Sequence, residues 1–116
     1  MNDRDPSHLE DMLAYARDAR ELLGGADAAA LANDKMRRYA VLRAIEIIGE
    51  AAGKVSPEGR EALPDIPWRQ VIGMRNLLIH GYREVAVSTV VQTIHDDLPA
   101  LMEALERALS DRGGEA

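Results

Sequence analysis

The sequence predicts an all-α protein, an up-and-down bundle of about five helices, and three observations carry that expectation. Apolar residues recur at spacings of three and four along most of the chain. No segment alternates apolar and polar residues as a half-buried strand does. With no Phe, one Trp and three Tyr, the core must be built from Leu, Ile, Val, Met and Ala, a mixture that favours helix packing. At 116 residues the chain suffices for one hydrophobic core, so a single domain over 1–116 is expected, with disordered tails at about 1–6 and 111–116.

The first helix is expected from about His8 to Leu23, because Ser7 and Glu10 form a capping box and Gly24 and Gly25 follow as a stop. Its apolar stripe is Leu9, Met12, Leu13, Ala16, Ala19 and Leu23. Alanine-rich residues 27–32 add a short turn before Asn33, the expected N-cap of a long helix that reaches about Lys54. Met36, Ala40, Val41, Leu42, Ala44, Ile45, Ile48 and Ala52 form its buried face. Ser56 and Pro57 make a second capped start, of a short helix ending before Pro64. Pro64 and Pro67 bracket a rigid connector, and Pro67 suits the first turn of a helix carrying Trp68, Val71, Ile72, Leu77 and Leu78. Gly81 is fit for its left-handed C-cap. From Val87 the residues Val90, Val91, Ile94, Leu98, Leu101, Leu105 and Ala108 describe a last long helix that Pro99 must kink or split.

The absence of cysteine excludes disulfides, thiolate metal sites and a cysteine nucleophile. No apolar run reaches bilayer length, and no basic leader followed by an apolar stretch opens the chain, so a cytoplasmic protein with no membrane contact is expected. A net charge of -6 argues against a general nucleic-acid binder. The charge is uneven, however. Residues 34–83 hold nine bases against six acids, and the remainder five against fourteen. The acidic ends read equally well as solvated helix faces.

Within that basic middle, residues 74–82 read MRNLLIHGY and place Arg75, Asn76, His80 and Tyr82 in one helix-to-loop passage. On an ideal helix, the five-residue step from Arg75 to His80 is about 500° of rotation and leaves the two side chains roughly 140° apart. Unwinding at Gly81 can swing His80 and Tyr82 back, and a second copy of the motif can also complete the site. RNA carries its own nucleophile, the 2′-hydroxyl, so scission needs only proton transfer and charge neutralisation; no metal or other cofactor is compulsory. Histidine, with an unperturbed pKa of about 6.5, moves protons at cellular pH. Arginine grips nonbridging phosphate oxygens and stays charged. Asn76 either orients the histidine or contacts the phosphate, and Tyr82 either bonds the substrate or closes the site. Singly, His80 reads as a helix cap, Arg75 as an ion-pair partner and Tyr82 as a core phenol; the combination in RNxxxHxY order is what distinguishes them.

The run MRNLLIHGY resembles the RxxxxHxY signature of the HepT-like ribonucleases of the HEPN superfamily, including the polar residue after the arginine. The flanks IEIIGEAAGKVSPE and HDDLPAL are also similar to that family, so the resemblance covers roughly residues 9–110. It implies a HEPN-like bundle that dimerises through the motif face, where two copies converge into one cleft. It also implies a metal-independent endoribonuclease, with Arg75 and His80 catalytic, that leaves a 2′,3′-cyclic phosphate and a 5′-hydroxyl. In the family such a chain is the toxin of a toxin–antitoxin pair, and its partner, a minimal nucleotidyltransferase antitoxin, attaches AMP to the motif tyrosine, here Tyr82. The rival implied by the same residues is a noncatalytic HEPN module that binds a nucleotide or presents a substrate to a partner transferase.

Three further features stay open on sequence. Arg43, Glu46, Glu50 and Lys54, at spacings of three, four and four, form a salt-bridged exposed ridge, or else Glu46 points at the Arg75 guanidinium and supports the site. His8 and His95 have no partner at metal-ligand spacing and are expected to face solvent. Gly49 and Gly53, four apart inside a helix, mark a close helix crossing at the core or a dimer interface.

Overall fold

Asn2 folds back on the start of the chain. Its Oδ1 accepts from the amides of Arg4 and Asp5 at 2.9 and 3.0 Å, and Asp5 Oδ2 accepts from the Asn2 amide at 3.0 Å. Helix α1 therefore runs Asp5–Leu23 with Pro6 in its first turn, starting three residues before the His8 expected from the Ser7/Glu10 pattern. Gly24, at φ 55°, ends it. The structure is a computed structural model that describes the backbone of residues 1–79 and 87–114, with all their side chains except those of 76–79 and 112–114.

The short turn expected after α1 is a full helix, α2 (Ala28–Asn33), capped by Asp27 through the Ala30 amide at 2.8 Å. The cap of α3 (Lys35–Lys54) is Asp34 rather than Asn33, because Asn33 is the last residue of α2 and Asp34 accepts from the Arg37 amide at 3.0 Å. Ser56 caps α4 (Pro57–Ala62) as expected, through the Gly59 amide. Then come α5 (Trp68–Ile79), α6 (Val87–Asp96) and α7 (Leu98–Gly114). Pro99 splits the expected last helix: lacking an N–H, it sits in the first turn of α7 just after the break at Asp97. The α7 helix runs through residues 111–114 as well. Among the described residues there are thus five helices of ten or more residues, two of six, and no strand.

The buried residues form one cluster. Leu9, Met12, Leu23, Leu31, Ile45, Ile48, Ile94, Leu98 and Leu105 are its largest fully buried side chains. The α1 and α3 helices pack most extensively on each other, α5 covers α3, α7 covers α1, and α6 bridges α2 and α7. Met36, expected in the core, is 85% exposed. It lies in the first turn of α3, before the buried stretch of that helix begins at Val41.

The direction of α5 follows from a chain of hydrogen bonds. The Arg60 guanidinium donates to the carbonyls of Gly53 and Val55 at 3.0 and 3.1 Å and so satisfies the open end of α3. The Trp68 indole in turn donates to the carbonyls of Arg60 and Leu63 at 3.2 and 3.0 Å. With its start held there and Arg75 lying against Gly49, α5 runs back along α3 toward the N-terminal half of that helix.

Candidate active site

Arg75 sits two-thirds of the way along α5, one turn after Val71 and next to Met74, both buried in the core. Its guanidinium side chain is exposed while its backbone is pressed against α3. A Cβ at Gly49 would lie 3.0 Å from the Arg75 amide nitrogen, 3.1 Å from Arg75 Cγ and 3.3 Å from the Val71 carbonyl oxygen. Only a residue without a side chain lets the two helices meet this closely. Of the two glycines singled out in the sequence, Gly49 makes this crossing, whereas a Cβ at Gly53 would meet nothing within 4 Å. Gly53 contributes its carbonyl to Arg60 instead.

Glu46 lies three residues before Gly49 on α3. It is half-buried and bonded to Arg43 Nη1 at 3.0 Å, and the same guanidinium reaches Glu50 at 3.7 Å. The ridge read from the spacing is therefore present for Arg43, Glu46 and Glu50. The ion pair that Glu46 makes among the described residues is with Arg43, and none there joins it to Arg75. Asn76 follows Arg75 on α5, but its side chain, with His80 and Tyr82, lies outside the described residues.

Two clefts flank these helices. One, of about 280 Å³, opens between α5 and the α6–α7 junction and carries Asp65, Asp96 and Asp97 on its wall, a charge that repels phosphate. The other, also of about 280 Å³, lies on the N-terminal half of α3 and is lined by Tyr39, Leu42, Arg43 and Glu46. Among the described residues no group of three or more His, Cys, Asp or Glu side chains is placed to hold a metal ion. His8 is half-buried on α1 and His95 is exposed on α6.

Residues 12–108 match the family described as Ribonuclease HepT-like, which is most of the chain. The chain belongs to the HepT-like ribonuclease family. Among its relatives, the protein named "Putative RNase MJ1380" of Methanocaldococcus jannaschii is 37% identical over 107 residues, covering 91% of this chain and 98% of that one. A second from the same organism, "Putative RNase MJ0125", is 36% identical over 103 residues and 89% of each chain. The "Probable ribonuclease HepT" of Thermococcus cleftensis is 40% identical over 74 residues, 64% of this chain and 67% of its own. No solved structure gives a significant match.

In this HepT-like protein, sequence reasoning found the Gly49 crossing but passed over one surface. Tyr39 is 55% exposed, with Lys35 Nζ 5.7 Å and Arg38 Cζ 5.5 Å from its ring centre. The signal was available in the run KMRRY, which sets an aromatic residue among bases. The three-and-four periodicity that assigned Met36 to the core obscured it.

Proposed function

We propose that this chain is a metal-independent endoribonuclease acting as the toxin of a toxin–antitoxin pair. The observation that carries the reading is Arg75. Its backbone is fixed against Gly49 while its side chain is exposed, and the residues that follow it in sequence are Asn76, His80 and Tyr82. A guanidinium on a packed helix can hold a phosphodiester in one orientation, which is what in-line attack by the neighbouring 2′-hydroxyl requires. His80 takes the hydroxyl proton or gives one to the leaving 5′-oxygen. The products are a 2′,3′-cyclic phosphate and a 5′-hydroxyl. Two copies combine in a homodimer, and Asn76 and Glu46 support the arrangement. The partner is a nucleotidyltransferase that transfers AMP from ATP to the Tyr82 phenol with release of pyrophosphate. Bulk and negative charge two residues from His80 then exclude RNA.

The test is cleavage of single-stranded RNA by the purified protein in excess chelator, with the new ends identified. His80→Ala and Arg75→Ala should each lower the rate by about 10²-fold or more. Substrate carrying 2′-deoxyribose at the cut position should resist cleavage. A His80→Ala protein that cuts at the wild-type rate removes the assignment. A wild-type protein that binds RNA yet never cuts it favours the noncatalytic module.

A further inference from the structure

Tyr39 stands out among the described residues as a large ring left open on a basic surface. It is 55% exposed, and next to it Met36 is 85% exposed. Lys35 Nζ and Arg38 Cζ sit over the ring, 5.7 and 5.5 Å from its centre. Four bases, Lys35, Arg37, Arg38 and Arg43, fall within the nine residues from Lys35 to Arg43 of a chain whose net charge is -6. The acids close by are already used. Asp34 caps α3 and pairs with Arg37 at 3.6 Å, and Glu46 pairs with Arg43 at 3.0 Å. Arg38 donates to the Ala32 carbonyl, and no carboxylate pairs with Lys35 or Arg38 among the described residues.

We propose that the first three turns of α3 form a base-stacking subsite for single-stranded RNA, with Tyr39 as the platform and Lys35 and Arg38 holding the flanking phosphates. The proposal rests on the ribonuclease reading and extends it to where the strand lies. An unpaired base has an open π-face that stacks on a phenol whatever its identity, and cations beside the ring complete the pairing of ring with base and charge with phosphate. Protein partners favour aromatic residues too, but the bases left without acids here match a polyanion better than a second acidic surface of this chain.

The placement fits. Tyr39, Arg43, Glu46 and Glu50 follow one another at four, three and four along a single stripe of α3, and Arg43 bonds to both glutamates. The cleft lined by Tyr39, Leu42, Arg43 and Glu46 lies along that stripe. Gly49, where Arg75 packs, is ten residues from Tyr39, about 15 Å along the helix axis. The α5 helix runs toward the Tyr39 end of α3, so a strand whose scissile phosphate meets Arg75 reaches Tyr39 within a few nucleotides.

The experiment measures anisotropy of a labelled single-stranded 2′-O-methyl oligoribonucleotide, which cannot be cut, on the full-length protein, together with steady-state cleavage of ordinary RNA. Tyr39→Ala should weaken binding by roughly 5- to 150-fold and raise KM with kcat held, while Tyr39→Phe binds as wild type. Changing Lys35 and Arg38 to Ala should flatten the dependence of binding on salt. If the protein cuts RNA but Tyr39→Ala binds and cuts as wild type, the subsite is wrong and the ribonuclease reading stands. If Tyr39→Ala leaves RNA binding intact and instead separates dimers, the surface is a protein interface and the proposal fails. If the wild type neither binds nor cuts RNA, the ribonuclease reading falls and the subsite falls with it.

Discussion

Burial pushes the Asp5 carboxyl up, yet donors surround it: the Ser56 hydroxyl at 2.5 Å, the Ser56 amide at 2.9 Å and the Asn2 amide at 3.0 Å. These outweigh the desolvation and hold it below the usual carboxylate range. The folded chain thus favours the ionised form more than the unfolded chain does. Its contribution to stability is complete above the unfolded carboxylate pKa of about 3.9 and is lost as the pH falls through the lower folded value. Asp5→Asn should cost about 1–3 kcal/mol at neutral pH, read as a lower urea midpoint. The same variant should lose less than wild type on acidification from about pH 6 to about pH 3, because the group responsible is gone. An Asn variant that loses as much as wild type over that interval would show that the acid sensitivity lies with other carboxylates. Ser56 serves two ends at once, since its hydroxyl donates to Asp5 and accepts the Gly59 amide at the start of α4.

At the scale of helices, the contact that matters most for the site is α3 on α5 at Gly49. A methyl there meets backbone atoms of Val71 and Arg75, which cannot turn aside as the end of a flexible side chain can, so the helix axis must move. Alanine gains about 1 kcal/mol of helix propensity over glycine and loses about 1–3 kcal/mol to crowding, so Gly49→Ala should destabilise the fold by about 0–2 kcal/mol. With Arg75 in the role proposed for it, activity should not be spared: moving a phosphate-holding group by a fraction of an ångström to an ångström costs up to about 10²-fold in rate. An unfolding midpoint lowered by at most about 10 °C, with cleavage assayed well below it reduced by tenfold or more, against Gly53→Ala as a control, is the expected pair of results. Equal activity in the two variants would show that the crossing does not position Arg75. How legible all this was depends on the range of the forces. Ser56-Pro57, Pro67 and Pro99 act within a turn, and the elements they start or break follow from sequence. The start of α1 did not, because Asp5 is held by Ser56, 51 residues away. Periodicity placed Met36 with Val41 and Ile45 without knowing where the neighbouring helices stop covering α3. The Gly49 and Gly53 pair gave one true crossing because α5 comes within contact of Gly49, whereas a Cβ at Gly53 would meet nothing within 4 Å.

The whole molecule poses a question that neither residue nor helix answers alone: whether one chain can aim both Arg75 and His80 at a single phosphate. On a continuous helix the two diverge by roughly 140°. A two-fold pair of chains solves the divergence without unwinding, since each Arg75 then faces the other copy's His80, and closed two-fold dimers are the commonest form of self-association. The two arrangements differ in what a mixture of crippled chains can do. Arg75→Ala and His80→Ala are each inactive on this view. In a mixed dimer with sites shared between chains, one site has lost both groups, while the other pairs the intact Arg75 of the His80→Ala chain with the intact His80 of the Arg75→Ala chain. With random reassociation about half of the dimers are mixed, each with one working site of two, so roughly a quarter of wild-type activity should return. Sites confined to single chains give nothing, because every chain in the mixture lacks one group. Co-expression of the two variants, purification through a tag on each, and a cleavage assay on the doubly tagged dimer separate the two cases, with half of wild-type activity expected for the pure mixed species. A doubly tagged dimer as inactive as its parents would place both groups in one chain and require the helix to unwind before His80.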